Sequence, residues 1–180
     1  MTEEQKPKKK RVNSKGKGNG FENKVSKILA EALAPMKFAR TPGSGARLGG
    51  QNFAAFGSMF SQVAMNMFVG DVVSINEQDC EKNFRFTVEC KAYKDADKLE
   101  NLLHGNSNIY GWVEEVLTDC VKVGKDGIVI FKWNNTPIYT AVTKDIQLPD
   151  SVKRIVLTNG IQVSHLEELL QHKDFWLKAK

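Results

Sequence analysis

The sequence predicts an α/β domain in which helices alternate with the strands of one sheet. Two patterns carry this prediction. One apolar stripe at helical spacing runs along the first segment after the N-terminus, through Phe21, Val25, Ile28, Leu29 and Ala32. Between Phe84 and Tyr93, apolar and polar residues alternate, which predicts a strand with one buried face.

The remaining elements follow from the same two periodicities. Asn19 is a candidate cap for the first helix, Pro35 limits its end, and Ser164 is a candidate cap for a closing helix. A further helix is predicted over 112–121. Strands are predicted at 37–41, 69–75, 127–132, 137–142 and 155–157.

The excess positive charge lies at the N-terminus. Residues 1–20 hold seven basic and two acidic groups, a net of +5, whereas the remaining 160 residues hold 19 of each. Such a run has too little apolar surface to fold alone. We expect residues 1–18 to be a disordered basic tail that contacts the phosphate backbone of a nucleic acid, the alternative being a solubilising leader. The folded domain is then 19–180.

Cysteine usage and hydropathy bear on location. Cys80, Cys90 and Cys120 form no CxxC pair and leave one cysteine over in any disulfide scheme, which favours a reducing compartment. The charged N-terminus is unlike a signal peptide, and no window reaches 18 apolar residues. We therefore expect an intracellular, soluble chain with no membrane partner.

The segment 46–68 is the hardest to interpret. Phe53, Phe56, Phe60, Val63 and Met67 recur at helical spacing. A helix that packs on the domain or on a dimer partner explains this pattern, and an apolar wedge against branched DNA is the alternative.

Three carboxylates and a lysine form the candidate catalytic set. Glu89 and Lys91 are two apart on a predicted strand and therefore leave the same face. Asp71 lies on the preceding strand, and Glu22 comes from the first helix. Acidic groups gathered on one face repel each other unless a cation neutralises them. Oxygen ligands of this kind suit Mg²⁺, with Mn²⁺ as a substitute.

This set matches the needs of phosphodiester cleavage. The metal activates a water molecule and neutralises phosphate charge, while a nearby ammonium such as that of Lys91 orients the water and stabilises the transition state. A Glu-x-Lys pattern alone also fits a solvated strand face. The order of the surrounding motifs favours the catalytic interpretation.

Those motifs resemble archaeal-type Holliday-junction resolvases and their phage relatives, within the PD-(D/E)xK nuclease superfamily. The resemblance is carried by four runs, 17–24 (KGNGFENK), 40–45 (RTPGSG), 70–71 (GD) and 89–91 (ECK). Asn23 stands where the family often has a basic residue, and the stretch between Gly45 and Gly70 is longer than usual.

The resemblance implies a restriction-endonuclease-like mixed β-sheet flanked by helices, and a homodimer. It implies that Asp71, Glu89, the Cys90 backbone carbonyl and Glu22 bind the metal, and that Lys91 acts on the water. DNA contacts are expected from Lys15, Lys17, Lys24, Arg40, Ser44 and Arg47.

The predicted function is a metal-dependent endonuclease that cleaves branched DNA, most simply a Holliday junction by paired nicks. One alternative is a repair or restriction-type endonuclease of the same chemistry on linear duplex. Another is a catalytically dead DNA-binding accessory protein, against which the intact Asp71, Glu89 and Lys91 argue. A basic RNA-binding protein has little support, because the sequence holds no stacking-aromatic motif.

Overall fold

A computed structural model describes residues 14–41, 61–75 and 83–178. They form one seven-stranded mixed sheet with the strand order β1-β2-β3-β4-β5-β7-β6. The strands are β1 (Phe38–Arg40), β2 (Val72–Ser74), β3 (Phe86–Tyr93), β4 (Asp126–Trp133), β5 (Tyr139–Val142), β6 (Arg154–Val156) and β7 (Gln162–His165). The α/β class with a mixed sheet is thereby confirmed.

Five α-helices lie within the described residues. They are α1 (Ser14–Ala32), α2 (Gln62–Phe68), α3 (Leu99–Leu103), α4 (Asn108–Val123) and α5 (Leu166–Leu170). Short 3-10 turns occupy Thr158–Gly160 and Lys173–Trp176. None of the helices in these ranges is long and apolar enough to cross a membrane.

Strand β3 is the strand at which the sheet changes from antiparallel to parallel pairing. It pairs antiparallel with β2 and parallel with β4, whose Val129 lies opposite Glu89. A parallel pair needs a long crossover, and α3 and α4 supply it between the two strands. The side chain of Ser107 caps α4 by accepting from the Ile109 N–H at 3.1 Å, and Gly124 ends the helix in the left-handed conformation.

The two faces of the sheet bury different helices. Helix α1 packs its apolar stripe on the face that holds Phe86, Val88 and Cys90, and α4 packs on the face of Val129 and Phe131. The alternation predicted for β3 is confirmed, since Phe86, Val88 and Cys90 belong to the first core. The prediction of a single buried face is wrong, because α4 covers the other face and Thr87 and Glu89 are buried there as well. Glu89 and Lys91 consequently leave β3 on the side of α4.

The first helix begins earlier than predicted. It starts at Ser14 and runs through Gly16, Gly18 and Gly20, so the predicted boundary at residue 18 lies inside a helix. Asn19 does not act as its cap; its side-chain oxygen accepts a hydrogen bond from Arg40 Nη2 at 2.9 Å. Three glycines weaken a helix by about 1 kcal/mol each relative to alanine, and a periodicity argument stops at them, whereas tertiary contacts on α1 carry it through.

The prediction that Ser164 caps the closing helix is wrong. Ser164 belongs to β7, and its hydroxyl lies 2.8 Å from that of Thr140 on β5. The residue before α5 is His165, which makes no side-chain cap. Strand β7 was missed because it consists of only four residues with polar members.

The described residues of the segment 46–68 support the interpretation as a helix that packs on the domain. Met65 and Val69 form a small buried cluster with Val123 of α4. Phe53, Phe56 and Phe60 lie outside the described residues, as do the tail residues 1–13.

Gly70 fixes the entry into β2. Its φ is +92°, and a Cβ added there would lie 3.0 Å from the Val88 carbonyl oxygen. The residue that follows, Asp71, donates its N–H to that same oxygen at 2.8 Å. Only glycine combines this backbone conformation with so close an approach to β3.

We expect Gly70→Ala to destabilise the protein by about 2 kcal/mol, because a side chain there is strained both by φ and by contact with β3. Gly111→Ala is the matched control, since Gly111 lies inside α4 with nothing near its added Cβ. That change should stabilise by about 0.5–1 kcal/mol. Urea denaturation of both variants measures the difference, and equal effects would contradict the assignment.

Candidate active site

Asp71 and Glu89 are brought together by the pairing of β2 with β3. The Cys90 N–H donates to Asp71 Oδ2 at 2.8 Å, and the Asp71 N–H donates to Val88 O at 2.8 Å. These two bonds hold Asp71 beside the middle of β3, where Glu89 emerges. Both acidic residues are 8 % exposed.

Lys91 lies between two carboxylates. Its Nζ is 2.8 Å from Glu89 Oε1 and 2.6 Å from Glu115 Oε2 on α4. Burial by itself lowers the pKa of Lys91, but the charges and hydrogen bonds of Glu89 and Glu115 outweigh it and raise the pKa above its ordinary value. Lys91 is therefore a fixed cation throughout the physiological range.

The environment of Glu89 disfavours its charged form, whereas that of Lys91 favours the charged form. Burial, and then the negative charge of Asp71, raise its pKa from 4.5 to about 8, although Lys91 acts in the other direction. The lysine is shared with Glu115, so it compensates Glu89 incompletely. The ionised form of Glu89 is thus disfavoured in this environment, and an added positive charge would stabilise it.

Glu22, the third predicted acidic residue, lies on α1 and is paired with Arg40 of β1. The Glu22 carboxylate forms an ion pair with Arg40 Nε, and Arg40 Nη2 also contacts Asn19. Among the described residues, no three side chains of His, Cys, Asp or Glu lie close enough together to hold a metal ion. Glu22 as a third acidic ligand remains a prediction.

The residues around Asp71 and Glu89 fit a hard divalent cation. Mg²⁺ takes one or two carboxylates and completes its shell with water and substrate phosphate, so a cage of three acidic groups is not required. The raised pKa of the buried Glu89 beside Asp71 is the observation that favours a cation there, because a cation would stabilise the ionised carboxylate. The carbonyl of Cys90 lies on the same segment of β3 and is the third candidate oxygen.

Cys90 and Cys120 do not take part through their thiols. Both are buried and free. Burial raises the pKa of the Cys90 thiol well above its usual range and that of Cys120 to about 11. Both thiols stay protonated and inert at neutral pH.

Four of the six predicted DNA-binding residues lie in the described ranges of the chain. Lys17 and Lys24 are exposed on α1, and Arg40 is held at the end of β1 by Glu22. Lys15 lies in α1. Ser44 and Arg47 lie outside the described residues.

Glu115 was missed as a site residue by the sequence analysis. Helical periodicity places it on the face of α4 away from the buried Trp112, Val113 and Val116, which reads as a solvated surface. Its contact with Lys91 depends on how α4 crosses β3, and no local pattern encodes this.

Glu89→Gln should stabilise the metal-free protein by about 1–3 kcal/mol at pH 8, because it removes a buried charge with a raised pKa. The sign follows from linkage. Between pH 4.5 and about 8 the unfolded state releases the Glu89 proton before the folded state does, so the contribution of Glu89 to stability falls as pH rises.

Thermal melts of wild type and Glu89→Gln in EDTA, from pH 5 to pH 8, measure this difference. The two stabilities should converge at the acidic end. Added Mg²⁺ should then raise the melting temperature of wild type more than that of the variant. A variant that is less stable than wild type at pH 8 would contradict the electrostatic argument.

Comparison with known proteins places the chain among nucleases. The family described as "Phage putative PDDEXK endonuclease" matches residues 13–176. A solved structure of a Holliday junction resolvase, Hjc, from the archaeal hyperthermophile Archaeoglobus fulgidus is similar at 15% sequence identity and a TM-score of 0.39, over 85% of this chain and 87% of that one. No curated protein sequence matches significantly. Because the family match spans nearly the whole chain, this protein belongs to the phage PD-(D/E)xK endonuclease family.

Proposed function

We propose that this nuclease is a Mg²⁺-dependent endonuclease that acts on branched DNA and resolves Holliday junctions by paired nicks. The observation that carries the proposal is the convergence of Asp71, Glu89 and Lys91 at the pairing of β2 with β3. The order of the runs RTPGSG, GD and ECK, typical of junction resolvases, supports the branched substrate.

Asp71, Glu89 and the Cys90 carbonyl are the proposed ligands of the metal. A bound Mg²⁺ supplies an activated water and neutralises charge on the phosphate. Manganese satisfies the same oxygen ligands and is expected to substitute.

Lys91 is the proposed partner of the attacking water. Its ammonium is held between Glu89 and Glu115, so it meets the substrate in one orientation and in one charge state. A cation fixed in this way stabilises the negative charge that develops on the phosphorus oxygens without reorganising at the moment of reaction. Glu115 orients Lys91.

A homodimer is the proposed active form. A four-way junction has near two-fold symmetry, and two cuts placed symmetrically require two sites related by the same symmetry. The dimer is supported by the resemblance to junction resolvases and by this requirement of the substrate.

The function is tested by cleavage of a synthetic four-way junction beside a linear duplex of the same sequence. We expect paired nicks in the junction with Mg²⁺ or Mn²⁺ and none in excess EDTA. Faster cleavage of the duplex would replace junction resolution with a repair or restriction-type activity. Binding without cleavage of either DNA, in both metals, would identify an accessory protein.

Lys91→Ala should lower the cleavage rate by at least about 1000-fold, because it removes the cation next to the water. Its affinity for the junction should stay within a few-fold, since one lysine adds little to backbone binding. Lys173→Ala is the matched control, because Lys173 is exposed on a distant turn. A rate near that of wild type for purified Lys91→Ala would remove Lys91 from the mechanism.

The tail is tested by deleting residues 1–13, which stops before α1 and removes Lys6, Lys8, Lys9, Lys10 and Arg11. Each phosphate contact contributes about 0.9 to the slope of log K against log salt, so we expect the slope to fall by about 2–4. Junction and duplex should lose affinity alike, because a basic arm recognises charge. A full-length variant with these five residues changed to glutamine should match the deletion. Superimposable slopes would identify a solubility leader.

A further inference from the structure

A basic cleft lies on the α1 face of the sheet, at the carboxyl ends of β3 and β4. It has a volume of about 310 Å³, and four of its lining side chains are lysines. They are Lys17 and Lys24 of α1, Lys94 just after β3, and Lys132 near the end of β4. We refer to these four residues and the space between them as the basic cleft.

Within the described ranges, no acidic residue compensates the charge of the basic cleft. None of the described residues that line it carries a carboxylate, and none of its four ammonium groups forms an ion pair with a described residue. Elsewhere in the fold cations do find partners, as Arg40 does with Glu22 and Arg85 with Asp126. Four like charges around one concave space repel each other, and an anion would relieve this cost.

A second cleft in the described ranges has a mixed charge. It is larger, with a volume of about 630 Å³, and is lined by Arg85 and Lys125 but also by Asp126 and Asp174. Residues 21–180 contain equal numbers of basic and acidic residues, so the gathering of Lys24, Lys94 and Lys132 at one place is a property of the fold, to which Lys17 of the basic N-terminal segment is added.

The basic cleft is built on rigid elements. Lys17 and Lys24 are seven residues apart on α1 and share one side of the helix. Lys132 lies opposite Ala92 in the parallel pairing of β3 with β4, and Ala92 forms part of the cleft wall. Beyond the strands, the Asn134 N–H donates to the Lys94 carbonyl at 3.3 Å, which holds the two chain ends together.

The basic cleft lies at the same end of β3 as Lys91 but on the opposite face of the strand. Lys91 leaves β3 towards α4, whereas Ala92 faces α1 and forms part of the cleft wall. Lys94 is three residues beyond Lys91, about 10 Å along an extended strand. A polyanion that passes around the carboxyl end of β3 can therefore contact Lys91 on one face and the basic cleft on the other.

We propose that the basic cleft binds backbone phosphates of the DNA substrate where the DNA passes the carboxyl end of β3, on the face of the strand opposite Lys91. This inference rests on the proposed nuclease function for the identity of the polyanion. It adds Lys94 and Lys132 as substrate-binding residues, and it assigns Lys17 and Lys24 to the same contact.

The test compares two triple variants that lose the same charge. Lys24→Ala/Lys94→Ala/Lys132→Ala empties most of the basic cleft, and Lys144→Ala/Lys153→Ala/Lys173→Ala removes three exposed lysines elsewhere. Binding of a fluorescent four-way junction is titrated against salt in Ca²⁺. We expect the slope of log K against log salt to fall by about 2–3 for the cleft variant, with at least tenfold weaker binding, and by less than about 1 for the control. Equal losses in the two variants would overturn the proposal.

A second measurement locates the contact on the DNA. Neutral methylphosphonates are placed one at a time at the four phosphates on either side of the mapped cut. In wild type, substitution at one or more of these positions should weaken binding several-fold, and the cleft variant should be insensitive at the same positions. Such non-additivity indicates a direct contact. Additive losses at every position would exclude it.

The outcomes separate this inference from the proposed function. If wild type cleaves the junction with Mg²⁺ but the two triple variants bind alike, the basic cleft is wrong and the nuclease function stands. If the cleft variant alone loses DNA affinity but no DNA is cleaved under any condition, the basic cleft stands and the proposed nuclease activity fails. Circular dichroism melts of both triple variants verify that they fold.

Discussion

The close approach of two buried carboxylates is the constraint on which this structure depends. Asp71 and Glu89 are each 8 % exposed, and burial, followed by the negative charge of Asp71, raises the pKa of Glu89 to about 8. Bringing two such groups together costs free energy, so the fold must hold them in place. The pairing of β2 with β3 does this, because the Cys90 N–H donates a hydrogen bond to the Asp71 carboxylate.

The need to hold Asp71 beside Glu89 explains several features of the sheet. Gly70 allows the chain to approach β3 closely enough for Asp71 to reach the backbone of Cys90. The parallel pairing of β3 with β4 brings α4 across one face of the sheet, and α4 carries Glu115 to Lys91. Helix α1 covers the opposite face and contributes Glu22 at one flank and the basic cleft at the other. The site is therefore assembled from both layers that enclose the sheet.

The sequence predicted the elements that have a strong local period and missed those that depend on contacts. The alternation of β3 was sufficient to place Glu89 and Lys91 on one face, and the apolar stripe of α1 was sufficient to identify a helix. The start of α1 was misplaced because three glycines interrupt the local signal, while Asn19 and Glu22 anchor the helix to Arg40 through space. Ser164 was taken for a cap because its sequence neighbourhood fits one, although the Thr140 hydroxyl on the next strand is its real partner. The sequence analysis missed Glu115 and Lys132 for the same reason. Each residue reaches its neighbours only through the packing or pairing of segments that are far apart in the sequence.

The orientation of Cys90 has a consequence for how such a motif can vary. Its backbone lies between Glu89 and Lys91 and its N–H binds Asp71, but its side chain points away from them into the core with Phe86 and Val88. The proposed chemistry uses only the main chain at this position, which every residue except proline supplies in full. The side chain between the glutamate and the lysine is therefore constrained by the volume left between α1 and the sheet. Substitutions there should change the packing of the domain more than the surroundings of Glu89 and Lys91, because those two side chains leave the strand on its other face.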